Sequence, residues 1–193
     1  PVGEHTDVEA VRAFARECDV VTFDHEHVPV EVLAALEADG VVLHPSPASR
    51  VFAQDKLAMR RRLTEIGVPC PRWAQVRDAA SLQSFGDEVG WPVVVKIPKG
   101  GYDGTGARVV GTPQEVADWF AVVGLDISQG GGPLVDGLLA EQKLDFVREL
   151  AVLVARRPSG QAGPGSVVEP DHTYGICTQV LAPAPRLETP LAQ

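Results

Sequence analysis

Apolar residues recur along this chain with two different periods, and the places where the period changes divide it. Val8, Val11, Phe14 and Ala15 fall at helical spacing behind Thr6 or Asp7, either of which can cap a helix. Residues 19–23 read as a buried strand. Pro29 stands near the start of a second helix that turns Val32, Leu33, Leu36 and Ala35 inward, and Gly40 stops it before a short strand over 41–43. This alternation of helix and strand predicts parallel α/β architecture. It also opens on a helix, so the first strand of such a fold is expected to be missing. Pro45-Ser46-Pro47 marks a rigid turn, after which Gln54-Asp55-Lys56-Leu57 opens a helix carrying Met59, Leu63 and Ile66 to Gly67. Pro69 and Pro71 form a linker, where a domain boundary is expected.

Beyond it the pattern changes to strand 73–76, helix 79–89 and strand 93–96. A hairpin partner over 108–110 follows, and then a helix capped by Thr112 with Val116, Trp119, Phe120 and Val123 on one face. This predicts a compact α+β module. Gly130-Gly131-Gly132-Pro133 reads as a loop leading to a strand over 138–141. From there strands dominate, over 147–155, 166–168 and 176–181, with a hairpin tip in 157–165. The last dozen residues, with Pro183, Pro185 and Pro190, carry no strong element, and no internal repeat is visible.

Composition narrows the classes. The chain has 193 residues, 45% of them hydrophobic, which suffices for a buried core in one large domain or two small ones. Seventeen basic against 26 acidic residues give a net charge of −9, which argues against nucleic acid or an anionic membrane as partner. Cys18, Cys70 and Cys177 are far apart and form no CxxC pair, so a reducing cytoplasm fits better than a disulfide framework or a zinc site. No apolar run approaches the roughly 20 residues needed to span a bilayer.

Two stretches carry candidate chemistry. Val93-Val94-Val95-Lys96 runs through Ile97-Pro98-Lys99 into a loop holding Gly100, Gly101, Gly104 and Gly106. Glycines there can take positive φ and bring backbone N–H groups near an anion, while a lysine at a strand end can hold a charge against phosphate. An ordinary glycine-rich hairpin with a solvated lysine has the same pattern. It is not a Walker loop, because the lysine precedes the glycines and the loop joins two strands. The second stretch, Phe23-Asp24-His25-Glu26-His27-Val28, follows a strand, the usual position for ligand groups in an open α/β sheet, although a polar turn reads alike. Its spacing is HxExH and not HExxH, and no metal ligand is assigned in the chain.

Taken in order, the chain resembles the ATP-grasp enzymes, and among them the N5-carboxyaminoimidazole ribonucleotide synthetases of purine (IMP) biosynthesis. Four stretches carry the likeness: residues 22–29, Gln54-Asp55-Lys56-Leu57, Val95-Lys96 with Gly100-Gly101-Tyr102-Asp103-Gly104, and Glu141-Gln142-Lys143-Leu144 with Arg148-Glu149. The resemblance implies a partial Rossmann-like domain over 1–68, a small ATP-grasp lid over 72–143 and the start of the larger ATP-grasp sheet over 144–193. It implies a cytoplasmic ligase that joins 5-aminoimidazole ribonucleotide and bicarbonate at the expense of ATP, with magnesium as cofactor and homodimerisation as the family's habit.

The same likeness implies roles by position. Lys56 and Lys96 would contact ATP phosphates, with Gly100, Gly101 and Gly104 in the phosphate loop. Glu141, Gln142, Lys143 and Leu144 would form the hinge facing the adenine edge, and Glu149 would hold ribose hydroxyls. Tyr102 and Asp103 would meet the substrate amine and help carboxyl transfer, while Glu26 and His27 would face the imidazole ribonucleotide or bicarbonate. His172 resembles a family histidine whose neighbours here differ, and its role stays open. Thr105 stands where the family usually has a basic residue, so Arg108 or Lys99 would have to replace that anion contact. The magnesium ligands and a third domain are expected beyond residue 193, and the chain alone is expected to be inactive. Other ATP-grasp ligases, resembling formate-dependent glycinamide ribonucleotide transformylase or biotin carboxylase, are the rival enzyme readings; a non-catalytic nucleotide-binding fragment or decayed paralogue is the rival of another class.

Overall fold

A computed structural model of the chain describes residues 2–101, 106–123, 136–173 and 175–187. By their contacts the described residues through Lys143 form one unit and those from Leu144 onward a second.

In the first unit, Asp7 caps α1 (Val8–Ala15) by accepting from the backbone N–H groups of Glu9 and Ala10. Helix α2 (Val30–Ala38) buries Val32, Leu33 and Leu36, as its spacing predicts, and Gly40 with φ of 77° turns the chain out of it. The strands expected at 19–23 and 41–43 shrink to one parallel bridge, Val21 to Leu43. Val21 and Leu43 are buried while Val20 and Val42 face solvent, so these runs alternate and are not covered on both faces.

The rigid turn expected at Pro45–Pro47 leads at once into a helix that the apolar pattern did not signal, α3 (Pro47–Gln54). Proline at a first helical position loses no needed N–H, and the helix is polar enough to show no apolar stripe. Asp55 ends α3 and caps α4 (Lys56–Glu65), accepting from the N–H groups of Leu57 and Ala58. Leu57 is fully buried, but Ile66 lies past the last turn and is exposed, contrary to its expected inward position.

The sheet of this unit is wholly antiparallel, in the order β1 (Trp73–Val76), β4 (Leu138–Gln142), β2 (Val93–Lys96), β3 (Ala107–Val110). Its alternation sorts side chains between two faces. Val76, Val93, Val95, Val110, Leu138 and Ala140 point to one face, where Leu82 and Phe85 of α5 (Ala79–Val89) close the core. Val116, Trp119, Phe120 and Val123 join them as expected, yet the helix is broken into a 3₁₀ turn (Pro113–Val116) and a single turn, α6 (Ala117–Phe120). Lys96 and Glu141 point to the other face, against α4. There Arg60 meets Glu141, Arg61 Nη2 donates to Gln75 Oε1 at 2.8 Å, and Trp73 Nε1 donates to Thr64 Oγ1 at 3.0 Å.

The second unit holds two antiparallel pairs, β5 (Val154–Arg156) with β6 (Ala162–Pro164) and β7 (Glu169–Thr173) with β8 (Ile176–Leu181). The strand expected over 147–155 contracts to its end, and Val147 is fully exposed. Residues 166–168 contribute one bridge, Ala151 to Val168; the strand proper is β7, hidden in the sequence by Pro170, Asp171 and His172. The loop at 130–133 lies outside the described residues. The three cysteines are free, and no described helix is long and apolar enough to cross a membrane.

Candidate functional site

Antiparallel register places Lys96 and Glu141 diagonally on one face of the sheet, since Lys96 pairs with Leu139 and Val94 with Glu141. Lys96 Nζ lies 2.5 Å from Glu141 Oε2, and Arg60 Nε bonds the other oxygen, Oε1. Glu141 is only 3% exposed. Its burial works to raise the carboxyl pKa, but the hydrogen bonds and charges of Lys96 and Arg60 outweigh this and hold it below the usual range. Its side chain is thus committed to two cations. Gln142 ends β4, its N–H bonded to Arg72 O at 2.8 Å, and Lys143 follows as the last residue of the unit.

Lys56 opens α4 one turn before Arg60. Its backbone N–H donates to Pro98 O and its Nζ to Gly100 O, both at 2.9 Å, so the helix start is tied to the start of the glycine loop. Desolvation lowers the Lys56 pKa, and the neighbouring charge of Lys96 lowers it further, while Glu26 and Asp55 oppose the shift. The same electrostatics put Glu26 within reach of both Lys56 and Arg50.

Gly100 and Gly101 take φ of 72° and 76°. A Cβ on Gly101 would come 2.6 Å from the Gly106 Cα, so the loop's two ends touch backbone to backbone. Tyr102, Asp103, Gly104 and Thr105 lie outside the described residues. Neither proposed substitute for Thr105 is uncommitted: Arg108 pairs with Asp118 at 2.6 and 2.8 Å and lies over Trp119, and Lys99 Nζ sits 3.8 Å from Asp55 and 3.7 Å from Asp136.

The Phe23–Val28 loop is held from beneath by α3. Gln54 Nε2 donates to Glu26 O at 2.7 Å and to Val28 O at 3.0 Å, Arg50 Nη2 donates to His25 O at 2.9 Å, and the Arg50 guanidinium stacks 3.9 Å over Phe23. The His27 N–H donates to His25 Nδ1 at 3.1 Å. No group of three His, Cys, Asp or Glu side chains among the described residues could hold a metal ion.

In the second unit, Leu144 is half-exposed, and Glu149 Oε2 lies 2.6 Å from His172 Nδ1, which gives the unassigned histidine a partner. The structure therefore brings Lys56, Lys96, Gly100, Gly101, Glu141 and Glu26 together within one unit, and Glu149 with His172 in the other. Sequence reasoning missed Arg60, Gln54 and Arg50. For Arg60 a signal existed: it lies four residues after Lys56 and so shares its helical face.

Set beside known proteins, residues 1–54 match a ribonucleotide synthetase preATP-grasp domain and residues 61–193 an ATP-grasp domain. The chain is 46% identical to the N5-carboxyaminoimidazole ribonucleotide synthase of Mycobacterium tuberculosis, over 99% of this chain and 43% of that protein. Carboxyaminoimidazole ribonucleotide synthase from Aspergillus clavatus, solved with ATP, superposes with a TM-score of 0.80 at 28% identity, covering 99% of this chain and 47% of the other. The Aspergillus enzyme in complex with ADP and 5-aminoimidazole ribonucleotide gives 0.81 at 26% identity, covering 98% and 46%. The chain thus spans rather less than half the length of the relatives it matches. With the domain match extending over more than half of its residues, the chain belongs to the ATP-grasp family.

Proposed function

We propose that this chain provides the phosphate-binding part of a ligase that carboxylates 5-aminoimidazole ribonucleotide with bicarbonate, producing N5-carboxyaminoimidazole ribonucleotide, ADP and phosphate. The observation that carries this reading is the convergence of Lys56, Lys96 and the start of the glycine loop. Two ammonium groups at a helix start and a strand end, beside backbone at positive φ, suit a triphosphate. The relatives' enzyme names and the Aspergillus complexes with ATP, ADP and aminoimidazole ribonucleotide supply the substrates.

Bicarbonate is a poor electrophile. In this scheme a bicarbonate oxygen attacks the γ-phosphorus, ADP leaves, and carboxyphosphate forms; the exocyclic amine then takes the carboxyl carbon, phosphate departs and the amine loses a proton. Lys56 and Lys96 offset charge on the phosphates, Gly100, Gly101 and Gly104 bring backbone to them, and Glu141 through Leu144 meet adenine, Glu141 by its backbone because its side chain is held by Lys96 and Arg60. Glu149 holds the ribose. Tyr102 and Asp103 serve the amine, and Glu26 and His27 the imidazole ribonucleotide or bicarbonate. Within this proposal residues 1–68 belong to a partial Rossmann-like domain, 72–143 to the lid and 144–193 to the larger sheet, and the enzyme works as a cytoplasmic homodimer. Magnesium would offset phosphate charge when bound. No group of three His, Cys, Asp or Glu side chains among the described residues is placed to hold it, and no step here is routed through it.

The test is a pair of measurements on the protein carrying this sequence. ADP release should require both aminoimidazole ribonucleotide and bicarbonate, and Lys96→Ala should weaken binding of a non-hydrolysable ATP analogue about ten- to a hundredfold, the value of a charge-assisted phosphate contact. ADP release indifferent to the imidazole ribonucleotide would refute the reaction. An unchanged dissociation constant would take Lys96 out of the site.

A further inference from the structure

We infer that Arg60 is a positioning residue that leaves the Lys96–Glu141 pair with a net positive charge toward phosphate by taking one oxygen of the buried Glu141 carboxylate. The inference rests on the nucleotide reading above and adds to it a residue that touches no substrate. Lys96 Nζ and Arg60 Nε divide the two oxygens of Glu141 between them, from a strand on one side and from α4 on the other. The side chains of Glu141 and Arg60 are 4% and 16% exposed, whereas that of Lys96 is 28% exposed and so opens toward solvent. Charge counting gives the consequence. A lone Lys96–Glu141 pair is neutral, and an arriving phosphate would meet the carboxylate as well as the ammonium. With Arg60 in place the trio carries one net positive charge, placed at its open end.

Geometry makes the arrangement specific to Arg60 and not to the basic run it belongs to. Arg61 turns to Gln75, and Arg62 pairs with Glu65 on the exposed face at 3.3 Å. Only Arg60 shares the helical face of Lys56, four residues earlier, whose own Nζ reaches Gly100 O. One face of α4 therefore supplies both a lysine at the loop and the counter-charge that frees a second lysine.

The experiment is calorimetric titration of wild-type protein, Arg60→Met and the double variant Arg60→Met with Glu141→Gln, each with a non-hydrolysable ATP analogue and with inorganic tripolyphosphate. Tripolyphosphate reads the phosphate locus without the adenine contacts that Glu141→Gln could disturb. Arg60→Met should weaken tripolyphosphate roughly tenfold, because it leaves an uncompensated carboxylate a few ångströms from the anion. Removing that carboxylate as well should return the affinity to within about threefold of wild type. If Arg60→Met binds as wild type does, the inference fails while the nucleotide reading stands. If the double variant stays as weak as Arg60→Met, Arg60 merely holds α4 and the inference again fails. Should wild type bind tripolyphosphate but gain nothing from the nucleoside, the nucleotide reading falls, and the role of Arg60 is judged on tripolyphosphate alone. Binding of neither ligand by wild type would sink both.

Discussion

The Lys56 ammonium donates a 2.9 Å hydrogen bond to the carbonyl oxygen of Gly100, tying the first residue of a helix to the first glycine of a loop 44 positions away. A phosphate entering beside Lys56 would compete with that carbonyl for the ammonium, so loop position and anion binding share one side chain. Because burial and Lys96 lower the Lys56 pKa, the charge is lost at a lower pH than for a free lysine. Affinity for an ATP analogue should therefore fall as pH rises toward the lysine range, starting earlier than a solvated lysine would allow. Lys56→Arg, whose guanidinium does not titrate there, should flatten the profile. Calorimetry across alkaline pH decides, and identical profiles for the two proteins would remove Lys56 from the site. The sign for stability is opposite: a lowered lysine pKa means the protonated form strains the fold, and this cost is relieved as pH rises from the folded to the unfolded value.

The two glycines that begin the loop should differ in what they tolerate. Both have positive φ, but nothing lies within 4 Å of a Cβ built on Gly100, whereas one on Gly101 meets Gly106 Cα at 2.6 Å and Ile97 at 2.9 Å. Gly100→Asn should cost no more than about 1 kcal/mol, since asparagine visits this backbone region. Gly101→Ala must also force the backbone at 101 and 106 to separate, and should cost roughly 2–3 kcal/mol or displace the loop. Urea denaturation of both variants checks this. Equal losses would mean the glycines serve only their φ angles.

These contrasts show where the sequence was legible. Elements that bury apolar residues at regular spacing, such as α2 with Val32, Leu33 and Leu36 or β2 with Val93 and Val95, announce themselves through periodicity. Helix α3 does not, because its two structural side chains, Arg50 and Gln54, are polar and work by reaching backbone carbonyls of a distant loop. Arg60 stands in the run Arg60-Arg61-Arg62, where side-chain chemistry alone does not set one arginine apart from the next. Whether a surface arginine folds inward depends on a carboxylate 81 residues away, and spacing along one helix cannot supply that. The lysines and glycines of the candidate site were visible because their chemistry is local to a strand end and a turn.

Acid should expose the Glu141 trio as a stability element. With its folded pKa held below the unfolded value, Glu141 contributes stability that is present above the ordinary glutamate pKa of about 4.3 and is lost as pH falls through the lower folded value. Glu141→Gln should remove that part of the acid dependence and lower stability at neutral pH. Breaking a buried pair costs about 3–5 kcal/mol, and the partial exposure of Lys96 brings the expected loss down to roughly 2–3 kcal/mol. Urea midpoints between neutral pH and pH 3 give the test. A variant that follows the wild-type curve at every pH would show the carboxylate to be energetically idle.

The support under the histidine loop leads to a prediction that separates substrate sites. Gln54 Nε2 serves the carbonyls of both Glu26 and Val28, fixing the backbone on either side of His27. Gln54→Leu keeps the volume of the side chain but leaves two carbonyls without their donor, a loss of about 1 kcal/mol for each bond. If Glu26 and His27 face the imidazole ribonucleotide or bicarbonate, a loosened loop should raise KM for those substrates several-fold. ATP affinity should change far less, because the hydrogen bonds of Lys56 go to Pro98 and Gly100 and the ion pair of Lys96 to Glu141, and this loop acts on Lys56 through the charge of Glu26. Initial rates at saturating ATP with varied aminoimidazole ribonucleotide, beside titration of an ATP analogue, measure both quantities. A rise in KM confined to ATP would place the Phe23–Val28 loop on the nucleotide side, and unchanged values for all substrates would reduce the loop to a surface turn with no role in binding.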